Sequence, residues 1–328
     1  MILGGDIGGT HTRLALFDDD GTVLAERAER VYPSRAHGGL GEVVRAFVDE
    51  SGVHPSAACF GIAGPVRDGR SVTTNLPWVV DAEELGRQLG ARTWVINDLE
   101  ATAWGIAALT PEAFAELAPG DPAASGNAAV IAAGTGLGEA GMYWDGRRHR
   151  PFATEGGHAS FAPHDALEAE LLVWLRRRFP PHVSWERIVS GPGLVTLYEF
   201  LRDTGRGEES PALATAIRAG DPGAAVSAAA LDGSSPLAAQ ALDRFVALYG
   251  AEAGNLALKL MATGGVYLGG GIAPRILQKL HDGTFLRRFL DKGRMRPVLE
   301  AMPVRVVIDD RCGLLGAGRC AAVRSAGS

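Results

Sequence analysis

A carboxylate and an imidazole lie three residues apart in the segment "EGGHASFAP", which covers residues 155 to 163. Glu155 and His158 flank two glycines there, and three roles fit such a pair: ligands of a metal ion, an acid and base of a catalytic site, or an ordinary loop. No third or fourth ligand follows at the spacing of a zinc site, which disfavours a structural metal. The choice between the other two roles depends on what else the chain carries.

A second polar pair, Asn97-Asp98, ends the apolar segment "RTWVIND" and precedes a helical pattern. Ligands of open α/β sheets lie at the carboxyl ends of strands, which favours a functional role for Asp98. A side-chain oxygen at this position can instead cap the helix. The residues alone leave both interpretations open.

Three glycine-rich turns follow apolar segments. Around Asp6 to Thr10, and again around Gly134 to Gly138, the flanking residues predict a strand, a tight turn and a second strand. The third turn, Gly269 to Gly271, ends a strand and enters a helix with Pro274 near its first turn. Such glycines either adopt a positive φ in a tight hairpin or let backbone amides approach an anion closely. A strand after the first turn disfavours a dinucleotide site, and the chain has no Walker Gly-Lys-Ser/Thr.

The elements that must position these residues are strands alternating with helices. The repeated strand–turn–strand pattern suggests two related halves. Residues 204–235, rich in Ala, Gly, Ser and Pro, are expected to form loops and short helices, and Gly250 and Gly254 are expected to kink the long helix in which they lie. The pattern indicates a mixed α/β protein of two lobes. Amphipathic patterns predict helices at residues 40–51, 81–90, 98–108, 164–179, 192–203 and 236–262.

Composition excludes several classes of function. Of the 328 residues 46% are hydrophobic and 21% are charged, with a net charge of −6, which disfavours a nucleic-acid partner. No apolar run is long enough to span a membrane, and the N-terminal residues do not form a signal peptide. Cys59, Cys312 and Cys320 have no paired spacing, so we expect neither disulfides nor a structural zinc, and a cytoplasmic location is favoured.

Seven motifs, through their residues and their order along the chain, make the chain resemble bacterial ATP-dependent glucokinases of the sugar kinase/actin-like ATPase superfamily. The similarity spans roughly residues 2 to 320. The chain departs from the family at His11, where many relatives have Asn, and at Thr154, where Gly is common. The motifs are "GDIGGTHTRLAL", "INDLEATAWG", "AAGTGLGEAG", "EGGHASFAP", "WERIVSGPGLVTLYEFL", "GGVYLGGGIAPRIL" and "GLLGAG".

The resemblance implies a two-lobed ribonuclease-H-like (actin-like ATPase/hexokinase) α/β fold with a cleft between the lobes. Residues 1–108, joined by a C-terminal helix at 310–328, would form the small lobe, and residues 109–309 the large lobe. The implied activity is transfer of the γ-phosphoryl group of MgATP to the 6-hydroxyl of D-glucose. A kinase for another hexose, or a sugar-sensing regulator without turnover, is the alternative. An intact Asp98, and a first turn that begins at Gly5, disfavour the regulator.

The same resemblance implies roles for individual residues. Asp98 would be the catalytic base, and Asp6 would bind Mg²⁺ directly or through water. Glucose would also bring the lobes together, and the enzyme would be a homodimer. The sugar ligands would be Asn97, Asp98, Gly136, Glu155, His158 and Glu186. The ATP-binding residues would be Gly5, Asp6, Ile7, Gly8, Gly9, Thr10, Gly134, Thr135, Gly269, Gly270 and Gly271.

Overall fold

The computed structural model describes residues 1–20, 24–73 and 75–326, and these form a mixed α/β structure, as predicted. The strands are β1 (Ile2–Ile7), β2 (His11–Asp19), β3 (Leu24–Pro33), β4 (Ala57–Ile62), β5 (Val66–Arg67), β6 (Arg70–Val72), β7 (Val79–Asp81), β8 (Arg92–Asn97), β9 (Phe114–Ala118), β10 (Ala128–Ala133), β11 (Leu137–Trp144), β12 (His149–Thr154), β13 (Gly265–Gly269) and β14 (Val304–Val307).

Single helices lie between several of these strands, and five α-helices follow one another over residues 166–260. Short 3₁₀ turns at Ser34–Ala36, Gly156–His158 and Trp185–Arg187 matter for the site. The α-helices are α1 (Leu40–Ser51), α2 (Ala82–Leu89), α3 (Asp98–Ile106), α4 (Ala166–Arg178), α5 (Gly191–Asp203), α6 (Pro211–Ala219), α7 (Pro222–Leu231), α8 (Pro236–Leu260), α9 (Ile272–Arg275), α10 (Leu277–Leu280), α11 (Thr284–Phe289), α12 (Arg296–Glu300) and α13 (Cys312–Ala326).

The six helices predicted from periodicity are confirmed, each with ends close to the predicted ones, and 204–235 contains the two short helices α6 and α7. The predicted C-terminal helix is α13. Residues 327 and 328 of its predicted range lie outside the described residues. In the described part of the chain, no helix is both long and apolar enough to cross a membrane.

Backbone contacts divide the chain into two compact units. Unit 1 comprises Met1–Ala113, His149–Ala153 and Asp309–Ser328, and unit 2 comprises Phe114–Arg148 and Thr154–Ile308. Each unit contains a sheet in which a β-hairpin continues into parallel strands.

The sheet of unit 1 has the strand order β3-β2-β1-β4-β8, with β1, β4 and β8 parallel. Strand β4 ("AACFGI"), which lies between the parallel strands β1 and β8, is buried along its whole length, as expected of a parallel strand covered on both faces. Phe60 packs in a cluster with Phe47 of α1, and Cys59 packs in a second cluster with Cys320 of α13. The helices α3 and α13 cross closely, since a Cβ at Gly316 would overlap the carbonyl oxygen of Ala101.

The sheet of unit 2 includes the order β11-β10-β13-β14-β9, with β10, β13 and β14 parallel. Its long helix α8 runs unbroken through Gly250 and Gly254, so neither glycine interrupts it, and the expected kink stays a prediction. A Cβ at Gly250 would overlap the carbonyl oxygen of Phe285, and one at Gly254 would come within 2.6 Å of that of Phe289. These glycines therefore allow α11 to pack closely against α8.

Candidate active site

The first glycine turn joins β1 to β2 and is closed by a hydrogen bond from the amide of Gly8 to the carbonyl of His11, 2.9 Å long. Neither Gly8 nor Gly9 adopts a left-handed φ, so the positive-φ explanation is wrong for this turn. Space is the constraint instead, because a Cβ at Gly9 would lie 2.7 Å from Cβ of Asn75. The turn thus presents backbone amides and the exposed Thr10 without side chains between them.

Ser34, which was not among the predicted residues, lies in the connection between β3 and α1 and holds this turn in place. Its hydroxyl donates to the carbonyl of Gly8 at 2.8 Å and lies 3.0 Å from the hydroxyl of Thr12, while its amide donates to the carbonyl of Thr10 at 2.9 Å. Both side chains are fully buried. Thr12 stands between His11 and Arg13, and Ser34 between Pro33 and Arg35, so the local sequence pattern gave no signal for either residue.

Two carboxylates lie at the same edge of the sheet in unit 1. The register pairs Ile7 with Ile62 and Ile62 with Asn97, so the ends of β1, β4 and β8 are level. Asp6 comes just before the end of β1, and Asp98 just after the end of β8. The two carboxylates lie close enough to each other that the charge of Asp6 raises the pKa of Asp98.

The cap of α3 is Asn97 and not Asp98. The Oδ1 atom of Asn97 accepts the amide of Leu99 at 2.8 Å, and its Nδ2 donates to the carbonyl of Gly64 at 3.1 Å. Asp98 is the first helical residue, and its Oδ1 also accepts the amide of Leu99, at 2.9 Å. The capping function open to Asp98 is thus supplied mainly by its neighbour.

Burial raises the pKa of Asp98 to about 6, and the amide of Leu99 opposes the rise. A carboxyl group with this pKa is ionised at pH 7 and more basic than an exposed one, so it suits proton abstraction from a hydroxyl. Strongly shifted carboxylates are common at functional sites.

Asp6 lies among charged neighbours at the end of β1. Burial raises its pKa, Arg13 lowers it and Asp310 raises it, and Arg13 itself forms an ion pair with Asp310 at 2.7 Å. No group of three or more metal-ligating side chains exists among residues 1–20, 24–73 and 75–326. One carboxylate beside a glycine turn nevertheless suits Mg²⁺, which keeps most of its waters and can take phosphate oxygens as further ligands.

The second glycine turn joins β10 to β11 in unit 2. The amide of Gly134 donates to the carbonyl of Gly136 at 2.9 Å, and the amide of Gly191, at the start of α5, donates to the carbonyl of Gly134 at 2.8 Å. Gly134 and Gly136 do not adopt a left-handed φ either. Gly270 in the third turn does, with φ of 78°, and a Cβ there would also lie 2.5 Å from the carbonyl oxygen of Ala133, so both constraints favour glycine.

Glu186 lies against this second turn. Its Oε2 accepts the amide of Leu137 at 3.1 Å and occupies the space that a Cβ of Gly136 would need. An isolated Glu in a polar segment is usually solvated, yet here the 3₁₀ turn Trp185–Arg187 brings it to the glycines. The structure therefore places the candidate ligands Gly136 and Glu186 in contact.

Glu155 and His158 project from a fixed turn next to Glu186. The turn is held by a hydrogen bond from the amide of Trp185 to the carbonyl of Ala159, 3.0 Å long. The side chains of Glu155 and His158 are 71% and 60% exposed, with 3.9 Å between Oε2 and Nε2. The hydrogen-bonded backbone therefore places both polar side chains at the surface, where a ligand can reach them.

A cavity of about 650 Å³ in unit 2 connects the second and third turns. Gly134 and Thr135 line one part of it, Gly271 and Arg275 another, and Asp221 of the α7 cap a third. The size suits a nucleoside. Arg275 and Asp221 were not among the predicted site residues. Gly191 and Pro192 at the start of α5 also line the cavity, and they lie within the motif "WERIVSGPGLVTLYEFL".

Comparison with known proteins agrees with this architecture. A solved glucokinase from an Antarctic psychrotroph superimposes with a TM-score of 0.85 at 32% identity, covering 98% of each chain. The glucokinase of Balamuthia mandrillaris, solved in complex with glucose, has a TM-score of 0.80 at 25% identity, covering 98% of this chain and 93% of that one. The fold is that of the ribonuclease-H-like (actin-like ATPase) sugar kinases, which confirms the predicted fold class.

The sequence comparisons narrow this class to one family. The family model described as "Glucokinase" matches residues 3–324. The glucokinase of Nostoc sp. (strain PCC 7120 / SAG 25.82 / UTEX 2576) is 42% identical, over 98% of this chain and 99% of that protein. The chain belongs to the glucokinase family, and the resemblance drawn from its motifs is confirmed.

Proposed function

We propose that the protein is a glucokinase, an ATP-dependent hexose phosphotransferase that converts D-glucose and MgATP to glucose 6-phosphate and ADP. The observation that carries the proposal is Asp98, at the carboxyl end of β8 with a pKa raised to about 6. Membership in the glucokinase family, and the glucose bound in a structural neighbour, support glucose as the acceptor.

In the proposed reaction, Asp98 accepts the proton of the sugar 6-hydroxyl as that oxygen attacks the γ-phosphorus. The bond between the γ-phosphorus and the bridging oxygen breaks, and ADP leaves with its electrons. Little covalent chemistry is left to the protein, so alignment and charge stabilisation supply most of the remaining rate enhancement. The base itself contributes about 10²–10⁴-fold.

The nucleotide is proposed to lie along the three glycine turns. The segments Gly5 to Thr10 and Gly134 to Thr135, with the two threonine hydroxyls, would hold the phosphates. Gly269 to Gly271 would lie near the adenosine, and the cavity beside Gly271 is supporting evidence. Asp6 would hold Mg²⁺, directly or through water, and the ion would neutralise phosphate charge.

The sugar is proposed to bind through hydrogen bonds, since glucose carries no charge. Its ligands would be Asn97, Asp98, Glu155, His158 and Glu186, with Gly136 against the ring. Each bond to a charged acceptor contributes about 1.5–3 kcal/mol. A site of this kind rejects a sugar that lacks a hydroxyl, because a carboxylate would then be left unpaired.

Three wider features complete the proposal. Residues 1–108 with 310–328, and residues 109–309, would be the two lobes of the kinase. The protein would act in the cytoplasm, which the three buried free cysteines support. It would form a homodimer, which sedimentation of the purified protein would test.

A coupled assay over a panel of hexoses and nucleotides tests the activity. We expect the highest kcat/KM with glucose and ATP, and a kcat that falls about tenfold per pH unit below about pH 6 as Asp98 becomes protonated. A higher kcat/KM for another hexose would show that this hexose, and not glucose, is the preferred substrate. Binding of sugar without turnover would indicate a sensor and overturn the proposal.

A further inference from the structure

Two buried glutamates face each other beneath the sugar-binding turn of unit 2. Glu139 lies on β11 and Glu252 on α8, and their exposed fractions are 2% and 0%. Their carboxyl groups lie within hydrogen-bonding reach of each other. Neither belongs to the set of residues proposed above to touch substrate.

Within the described chain, one oxygen of each carboxyl group lacks a hydrogen-bond donor. Among the residues that the structure describes, Oε1 of Glu139 and Oε1 of Glu252 have no hydrogen-bond partner. Asn255 donates to the other oxygen of Glu252 at 2.8 Å, and Nζ of Lys259 lies 3.6 Å from Oε1 of Glu252, beyond hydrogen-bonding distance. Buried carboxylates without donors are strongly disfavoured, and one proton between the two groups would supply what is missing.

The electrostatics of the pair agree with a shared proton. Burial raises the pKa of Glu139 to about 8, the charge of Glu252 adds to the rise and Lys259 opposes it. Burial also raises the pKa of Glu252, against Asn255, Lys259 and Lys292. These shifts belong to the pair as a whole, and they favour the retention of one proton at neutral pH.

The other titratable groups around the pair come from α8 and from the segment after α11. Lys259 and Tyr249 are on α8, and the Tyr249 hydroxyl donates to the carbonyl of Ile131 at 3.1 Å. Lys292 donates to the carbonyl of Ala251 at 3.0 Å. Burial raises the pKa of Tyr249 and lowers that of Lys292.

Glu139 supports the turn that carries Glu155 and His158. Its Oε2 lies against Gly156, where any Cβ would overlap it. Thr154 donates through its hydroxyl to the carbonyl of Glu139 at 2.9 Å and accepts the amide of Gly156 at 3.2 Å. The position of this turn therefore depends on the Glu139 side chain and on its strand.

We propose that Glu139 is a positioning residue for the Glu155–His158 turn, and that it acts as half of a carboxylic acid–carboxylate pair with Glu252. The inference rests on the proposed function, since the turn is taken to bind the sugar. Loss of the shared proton leaves two buried like charges, which separate and displace the turn from beneath.

The direction of the pH effect follows from the raised pKa. The contribution of Glu139 to folding is fully present below its unfolded pKa of about 4.3 and is lost as pH rises through about 8. We therefore expect the KM for glucose to rise, and the thermal midpoint to fall, between pH 7 and pH 9.

Two variants at one position test this. Glu139→Gln replaces the proton with a permanent amide donor, so its KM for glucose at pH 7 should stay within about twofold of wild type and remain flat to pH 9. Glu139→Ala removes the support, and its KM for glucose should rise about tenfold at pH 7 while its KM for MgATP changes little. Glu168→Gln is the matched control, because Glu168 is 1% exposed and bound to Arg288 at 2.8 Å. It should lower stability without changing the KM for glucose.

Amide hydrogen exchange of residues 154–158 provides a readout that needs no catalysis. After correction for intrinsic rates, exchange should be faster at pH 9 than at pH 7 in wild type and not in Glu139→Gln. The same pH dependence in both proteins would overturn the proposal, whether or not Glu139→Ala folds. A lower thermal midpoint with unchanged KM for glucose in Glu139→Ala would do so too. Absence of turnover by the wild type would instead defeat the proposed function, and the exchange data would still decide the part played by Glu139.

Discussion

The two hairpin turns have similar backbones but are held by different chemistry. In unit 1 the carbonyl of Gly8 is held by a neutral hydroxyl, that of Ser34. In unit 2 the turn is held by the amide of Gly191 on one side and by the carboxylate of Glu186 on the other.

Under the proposed function, this difference would separate the binding of an anion from the binding of a neutral sugar. A hydroxyl beside the first turn adds no negative charge, so the turn amides remain attractive to phosphate. A carboxylate beside Gly136 would repel phosphate but accepts hydrogen bonds from sugar hydroxyls. The second turn therefore has two sides: Gly134 and Thr135 line the cavity, while Gly136 and Leu137 meet Glu186.

If unit 1 supplies the base and the metal ligand, changes there should act mainly on kcat. We expect Asp98→Asn to lower kcat on the order of 10²-fold or more, because the base is lost while an oxygen remains for the Leu99 amide. Steady-state kinetics and glucose binding would check this. Asp81→Asn is the control, since Oδ1 of Asp81 also accepts amides from the first turn of a helix, those of Glu83 and Glu84. A near wild-type kcat for Asp98→Asn would remove Asp98 from the mechanism.

Asp6→Ala should weaken the use of MgATP about tenfold or more, with little effect on glucose binding, because the carboxylate is proposed to face the metal. The rate as a function of Mg²⁺ concentration measures it. Asp18→Ala, which removes a partly exposed partner of Arg27 from β2, is the matched control. An unchanged Mg²⁺ dependence would contradict the role of Asp6.

If unit 2 recognises the sugar, Glu186→Gln should raise the KM for glucose and leave kcat nearly unchanged. The amide keeps an acceptor for Leu137, so the loss is that of a charged acceptor, about 1–1.5 kcal/mol or close to tenfold in KM. Glu199→Gln, on α5 and paired with Arg178, should not change KM. Equal KM values for the two variants would show that Glu186 only supports the turn.

Ser34→Ala should have the smallest effect. The carbonyl of Gly8 loses its donor, which lowers stability by about 1–3 kcal/mol and raises the KM for MgATP about threefold. Thermal unfolding and nucleotide kinetics measure both. Ser56→Ala, which removes a hydroxyl bonded to the carbonyl of Met1 at 3.1 Å, should leave the KM for MgATP unchanged. An equally large rise in the KM for MgATP in Ser56→Ala would mean that the effect of Ser34→Ala is not specific to the first turn.

The sequence alone determined the features that depend on residues a few positions apart. The two hairpins, the entry into α9 after Gly271 and the six predicted helices follow from hydrophobic periodicity and turn chemistry, and the structure confirms them. The ordered motifs also identified the family, because spacing and residue type together are specific. The ligand set from the same resemblance stays a prediction until the variants above are measured.

Tertiary structure decided what each ambiguous residue does. The cap of α3 went to Asn97 because the extended backbone at the end of β8 aims its side chain at the Leu99 amide. Gly250 and Gly254 proved to be contact points for α11, and Ser34 an anchor for a turn distant in sequence. Glu139 and Glu252 lie on a strand and a helix far apart along the chain, so periodicity could show at most that each is polar among apolar neighbours. Only tertiary packing buries the two carboxyl groups next to each other. Loss of hydration and the nearby like charge then raise their pKa values.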